Sequence, residues 1–315
     1  MGHQATTKTV LITGASGFIG HHLVKYLCPD HRVIAFARRT QKEVGLEPHP
    51  NLEWMLVDLM DPVQLKNAFQ KASSTHKIDF IFHLAAYYDF GNQVYSQIYE
   101  KTNVEATRIL LELTKAINVQ RFVFTSSLVA SKFPVSGDLV YERSVPDANF
   151  PYAVTKRQGE KLVEEFSQFY PCTIVRLAAV CSDWCEYEPL YHFLKIWLSD
   201  RWDARILPGK GSMAIPYIHV CCVVAIFEKI MIKSSELKNY DTYLASSDSP
   251  VSLLELFKLA TQQYFGKEIQ PTFIPVQFAR AGVIWRNIWG KIIGNPPFER
   301  LWMLDYTDRQ FPTDS

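Results

Sequence analysis

A short β-branched run, Thr9-Val10-Leu11-Ile12, leads directly into Thr13-Gly14-Ala15-Ser16-Gly17-Phe18-Ile19-Gly20. A helical pattern of Phe18, Ile19, Leu23, Val24 and Leu27 follows. The glycines are spaced G-x-x-G-x-x-G. The first permits a tight turn, the second lets a pyrophosphate approach the backbone, and the third lets the helix pack closely on the strand. Free N–H groups at the helix start and the helix dipole then favour a bound phosphate. A plain Gly-rich turn would not need three glycines at this spacing. Their place at the first strand–helix junction, with a second strand after it, predicts a dinucleotide site.

Further short apolar runs stand at 32–37, 51–57, 80–84, 121–125 and 173–177, with helical patterns at 62–72, 94–117 and 152–168 between them. Strands alternating with helices predict a Rossmann-type α/β fold, a doubly wound parallel sheet covered on both faces. After about residue 180 the alternation weakens, and Trp184, Tyr187, Tyr191, Trp197 and Trp202 crowd the chain. The expected organisation is a dinucleotide-binding domain over 1–180 and a smaller, mainly substrate-binding lobe over 181–315, with segments near 215–246 returning to the sheet. A strand is predicted at 241–245 and a helix at 252–264. A basic, aromatic tail at 277–293 is expected to end at Pro296-Pro297.

Composition narrows the function classes. The chain carries 33 Lys+Arg against 32 Asp+Glu, a net charge of +1, and 48 % of its residues are apolar. Such a balance excludes a disordered chain and offers no basic excess for nucleic acid. No apolar run reaches the roughly 18 residues that a membrane span needs. The six cysteines, Cys28, Cys172, Cys181, Cys185, Cys221 and Cys222, are too sparse for a disulfide scaffold. Cys181 and Cys185 could share a helical face, but no His pair or second Cys pair stands at ligand spacing, so no metal site is expected. MGHQATTKTV has no apolar signal core, and a cytoplasmic location is expected.

The second strand ends in Arg38-Arg39, with no acid before Glu43. An acid there would hold a ribose diol and repel a 2′-phosphate, whereas two guanidinium groups suit that phosphate. NADP is therefore expected as cofactor, with NAD possible if both arginines are simply solvated. Tyr152 and Lys156 are four residues apart on a helical pattern, so phenol and ammonium share a face. A nearby ammonium lowers a phenol pKa and fits the tyrosine for acid–base work. The strand before them ends in Thr125-Ser126-Ser127, and hydroxyls at the carboxyl end of a parallel strand lie at the ligand edge. Of these, Ser127 is the candidate to hold a substrate oxygen.

Taken together, these motifs resemble the extended short-chain dehydrogenase/reductase family, which includes nucleotide-sugar epimerases and dehydratases and hydroxysteroid- or flavonoid-type reductases. The match is strongest from Val10 to Val180. The resemblance implies a catalytic set of Ser127, Tyr152 and Lys156, with Asn103 positioning the lysine through water. It implies cofactor contacts from Gly14, Ser16, Gly17, Phe18, Ile19, Gly20, Arg38 and Arg39. Asp58 and Leu59, Leu84 to Ala86 in His83-Leu84-Ala85-Ala86, Tyr88, Asn103, Thr125, Ser126, Tyr152, Lys156, Leu177 and Ala179 complete that surface. Asp58 takes the place of the acid on the adenine amine. Tyr152 exchanges the proton of an alcohol or carbonyl, and hydride passes between nicotinamide and substrate carbon.

Two departures bear on the reaction. Many nucleotide-sugar enzymes carry an Asn shortly after the sixth-strand Arg, whereas Arg176 is followed here by Leu177-Ala178-Ala179-Val180-Cys181. His219-Val220 leads into Cys221-Cys222 where an acid is common. Tyr88, Phe90, Trp184 and Tyr187 are expected around the substrate, alongside Ser127, and an aromatic wall suits an apolar or ring-containing carbonyl. The leading expectation is an NADP-dependent oxidoreductase interconverting a secondary alcohol and a ketone or aldehyde. The alternatives are a nucleotide-sugar epimerase or dehydratase with tightly bound NAD, or a non-catalytic NADP-binding sensor. The expected partner is a small molecule, with a homodimer possible through the 94–117 and 152–168 helices. The tail is expected to dock on its own protein rather than on a membrane.

Overall fold

The computed structural model of the chain describes residues 7–90, 95–134, 138–247, 249–292, 294 and 298–314. Val94, Ile293 and the Pro296-Pro297 stop of the sequence reading lie outside them.

Seven strands form one parallel sheet: β1 (Thr9–Thr13), β2 (Arg32–Ala37), β3 (Leu52–Leu56), β4 (Phe80–His83), β5 (Arg121–Ser127), β6 (Cys172–Leu177) and β7 (Tyr240–Ala245). Their order is β7-β6-β5-β4-β1-β2-β3, a Rossmann-type arrangement. Strand order reverses between β1 and β4, and that switch point opens a crevice at the carboxyl ends of the strands. The strands are continuous apolar runs because both faces are covered. Val10, Leu11 and Ile12 of β1 and Phe122 and Val123 of β5 have no exposed surface.

The α-helices of at least nine residues number eight among the described residues: α1 (Phe18–Leu27), α2 (Pro62–Thr75), α3 (Ala106–Thr114), α4 (Pro151–Phe166), α5 (Glu188–Trp197), α6 (Val220–Ile232), α7 (Leu253–Phe265) and α8 (Val276–Ile292). Leu23, Val24 and Leu27 of α1 and Val223, Val224 and Phe227 of α6 share one core layer. The other face holds Leu65 and Phe69 of α2, Leu110 and Leu111 of α3, and Leu162 and Val163 of α4. The expected 94–117 helix is not uniform: a turn at Gln97–Tyr99 and a π-helical stretch at Glu100–Glu105 precede α3. Cys181 closes a short strand and Cys185 has φ 54°, so these two cysteines do not share a helical face.

A smaller core of Trp197, Leu207 and Phe257 joins α5 and α7. A C-terminal strap ties this region to the sheet. The Phe311 amide donates to the Ala214 carbonyl at 2.9 Å, the Val140 amide to the Pro312 carbonyl at 3.1 Å, and the Asp314 amide to the Val140 carbonyl at 3.1 Å. The Thr313 and Ser246 hydroxyls lie 2.9 Å apart just beyond β7. Among the described residues, no helix is long and apolar enough to cross a membrane.

Candidate active site

The C-terminal edge of the sheet collects most of the residues singled out from the sequence. Gly14, Ser16, Gly17, Phe18, Ile19 and Gly20 make the β1–α1 junction, and Arg38-Arg39 follow β2. Asp58 and Leu59 follow β3, and Leu84, Ala85, Ala86, Tyr88 and Phe90 follow β4. Thr125, Ser126 and Ser127 end β5, Leu177 ends β6, and Ala179 opens the next short strand.

The junction is shaped as a phosphate cradle. Gly14 has φ +71°, and a Cβ there would stand 2.7 Å from the Ala85 nitrogen. A Cβ on Gly20 would stand 2.2 Å from the Gly14 carbonyl oxygen. The loop is thus pressed onto the Leu84-Ala85 segment that follows β4, and α1 onto the loop. Gly17 caps α1 without a side-chain hydrogen bond, which leaves the first-turn N–H groups to a ligand. The Arg39 guanidinium donates to the Ser16 carbonyl, and the Trp54 indole donates to the Arg39 carbonyl at 3.0 Å. Both Arg38 and Arg39 are exposed at the rim of this cradle. Asp58 accepts from the Met60 amide at 3.0 Å within its own turn.

Deeper in, α4 brings Tyr152 and Lys156 over the end of β5. Lys156 is buried, donates to the Thr125 carbonyl at 2.8 Å, and lies 4.9 Å from the Phe124 ring and 5.6 Å from the Tyr152 ring. Burial pushes its ammonium down to about 8 against the opposing pull of Glu160. Tyr152 stacks on Tyr88 with centroids 4.3 Å apart. Burial raises its phenol above the ordinary value, and Tyr99 and Tyr187 add to that. This reverses the lowered phenol expected from the sequence. Desolvation dominates, and the ammonium is directed at the Thr125 carbonyl.

Asn103 sits in the π-helical stretch, a common location for functional residues. Its amide donates to the Tyr87 carbonyl and the Thr155 hydroxyl, both at 3.0 Å, and its oxygen accepts from the Tyr87 amide at 2.7 Å. These bonds fix the Asn103 side chain against the residue that directly precedes Lys156. Thr155 donates in turn to the Tyr152 carbonyl at 2.8 Å. His83 bridges Thr13 at 2.7 Å and Thr107 at 2.8 Å, and Thr107 donates to the Asn103 carbonyl at 2.7 Å. Burial holds His83 down to about 3, so the imidazole is neutral. A continuous polar chain therefore runs from β1 beneath the cradle to α4. Sequence reasoning missed Thr155 and Thr107; the hydroxyl directly before Lys156 was the available signal.

A cavity of about 1020 Å³ extends from Tyr88 and Phe90 to residues of α5 and α8. Tyr187 and Tyr217 also line it, and Tyr187 packs edge-on to both Phe90 and Tyr217. Trp184 does not line it and is 84 % exposed. Ser127 stands at the end of β5, outside the lining of this cavity. The sequence reading also missed the wall from residues 298–309, where Phe298, Arg300, Trp302 and Tyr306 line the cavity. Their aromatic recurrence past the proline pair was the overlooked cue.

The dinucleotide fits these residues. A Cβ at Gly14 or Gly20 would collide with the neighbouring backbone that holds the loop close, and the buried Ser126 hydroxyl at the end of β5 has no hydrogen-bond partner among the described residues. Gly14 to Gly20 would hold the phosphates, with Asp58 at the outer end and Lys156 at the inner.

Comparisons with known proteins bear on the family and the fold. The family model described as NAD dependent epimerase/dehydratase family matches residues 10–245. A protein of Bacillus subtilis (strain 168) named as an uncharacterized UDP-glucose epimerase is 31 % identical over 266 residues, covering 78 % of this chain and 81 % of that one. The dTDP-D-glucose 4,6-dehydratase of Dictyostelium discoideum is 24 % identical over 80 % of this chain, which spans 61 % of that protein's length. In fold, the chain is similar to the UDP-glucuronic acid 4-epimerase of Bacillus cereus solved with UDP-glucuronic acid and NAD. That likeness has a TM-score of 0.69 and 20 % identity, over 97 % of this chain and 90 % of that one.

Proposed function

Because the chain belongs to the NAD dependent epimerase/dehydratase family, we propose that it is an enzyme that oxidises a hydroxylated ring carbon of a nucleotide sugar and goes on to epimerise or dehydrate it. The carrying observation is the pairing of Tyr152 with Lys156 at the cradle, with Tyr88 stacked on Tyr152 and also lining the cavity. The bound NAD(P) supplies the hydride acceptor. Tyr152 takes the hydroxyl proton at its phenol oxygen, and Ser127 steadies the same substrate oxygen. Lys156 keeps positive charge beside the phenol, which favours the phenolate against the burial that opposes it. The nearby aromatic rings exclude water, and the cavity volume suits a nucleotide-sized ligand. Arg300 and Arg309 on its wall suit a diphosphate.

A second reading is an exchangeable NADP acting on an apolar ring alcohol or ketone. The aromatic wall, the Leu177-Ala178-Ala179 sequence in place of an Asn, and Arg38-Arg39 favour it. Purified protein separates the two when given UDP- and dTDP-sugars with product analysis, and NADP⁺ with apolar secondary alcohols. Sugar conversion without net cofactor change supports the first reading. Net NADPH formation with alcohols and none with sugars replaces it by the second. Tyr152→Phe is expected to abolish turnover in either case, and full activity in that variant would remove Tyr152 from the chemistry.

A further inference from the structure

Helix α8 is mounted the wrong way round for a helix of a soluble surface. Its inward side combines Ala279, Val283 and the buried Gly290 with polar anchors: Arg286 pairs with Glu299 at 2.9 Å and with Asp203 at 3.5 Å. Asn287 donates to the Glu299 carbonyl at 3.2 Å. Its outward side is apolar. Phe278, Ile284, Trp285, Ile288, Trp289 and Ile292 stand between 45 and 70 % exposed and fall within one stripe at helical spacing. An ordinary surface helix buries that stripe and solvates its charges.

The charge on α8 indicates what covers the stripe. Its ionisable residues are Arg280, Arg286 and Lys291, with no Asp or Glu. Arg280 and Arg286 are paired within the chain, whereas Lys291, exposed at the helix end, has no carboxylate in ion-pair range among the described residues. Phe278 and Trp285, like the 86 % exposed Trp202, also line the cavity, so the part of the stripe outside the cavity wall is Ile284, Ile288, Trp289 and Ile292. Tryptophan and isoleucine on one face with a basic flank and no acid is the composition of a helix lying in a headgroup layer.

We propose that α8 docks this enzyme peripherally on an anionic phospholipid surface, with its indole rings at the acyl boundary and Lys291 among the headgroups. The proposal does not depend on which substrate reading holds. The test is co-sedimentation of the full chain with phosphatidylcholine/phosphatidylglycerol vesicles and with phosphatidylcholine alone. Binding is expected with the anionic vesicles, weaker on the neutral ones and reduced by salt. The double variant Trp289→Ser/Ile292→Ser removes exposed side chains outside the cavity wall. It should keep its melting temperature and lose roughly tenfold or more in vesicle partition. Lys291→Glu should weaken only the anionic component. Sedimentation equilibrium without lipid reads the competing occupant. A dimer that the double variant dissolves would overturn the proposal, as would a wild-type chain that stays in the supernatant with both vesicles.

Discussion

Gly14 offers a direct test of how the cradle is held. Alanine there incurs two separable costs. The φ of +71° lies in the left-handed region, where a side chain costs about 1–2 kcal/mol. The new Cβ would also stand 2.7 and 2.8 Å from the Ala85 nitrogen and Cα, and both are backbone atoms that cannot swing aside. Overpacking of that kind costs about 1–3 kcal/mol. Gly45 isolates the first cost, because it has φ +66° with nothing within 4 Å of its Cβ position. Gly14→Ala is thus expected to lose about 2–5 kcal/mol by urea denaturation, and Gly45→Ala about 1–2 kcal/mol. Titration with NADH, followed by nicotinamide fluorescence, should show weakened binding for Gly14→Ala alone. Equal losses in the two variants, or undiminished cofactor affinity in Gly14→Ala, would refute the idea that contact with the Ala85 backbone shapes the loop.

Three further outcomes follow from the site. The fall of Lys156 to about 8 from an ordinary value of 10.5 corresponds to about 3 kcal/mol of destabilisation. The unfolded chain holds the extra proton between those values, so this penalty is full below pH 8 and is relieved as pH rises toward 10. Lys156→Met should accordingly be stabilised relative to wild type at pH 7 and converge with it near pH 10, as read by denaturant unfolding; a constant gap would contradict the assignment. Arg176 holds Glu160 in a buried two-point pair at 3.0 and 2.8 Å, and Arg176→Met strands that carboxylate. A loss of about 3–5 kcal/mol is expected, with Arg176→Met/Glu160→Leu recovering most of it by the same measurement. Arg39→Ala should weaken NADPH binding more than NADH binding in parallel titrations, and an equal effect would assign Arg39 to its bond with the Ser16 carbonyl.

What could be read from the sequence was local, and what could not was relational. The β1 loop declared itself because glycine spacing, strand and helix are contiguous. The four-residue interval of Tyr152 and Lys156 fixed their common face, but no interval reports desolvation, so the direction of the phenol pKa was misjudged. The Thr13–His83–Thr107 chain joins residues 70 and 24 positions apart, beyond the reach of any periodic pattern. Helix α8 teaches the same lesson differently. Its amphipathic pattern was visible, but amphipathicity says only that two faces differ. The acids at 203 and 299 decide which face turns inward, and they lie on other segments.

The C-terminal strap also bears on the order in which the molecule can assemble. All seven strands have been synthesised by Ala245, and the sheet needs nothing later to complete its hydrogen-bonded register. The bonds from Phe311, Pro312 and Asp314 to Ala214 and Val140 join segments about 100 and 170 positions apart. During translation, therefore, a nascent chain carries a finished nucleotide fold beside an unsealed aromatic cleft, because N-terminal units fold first. Cofactor binding at the completed sheet would then precede closure of the cleft by the strap.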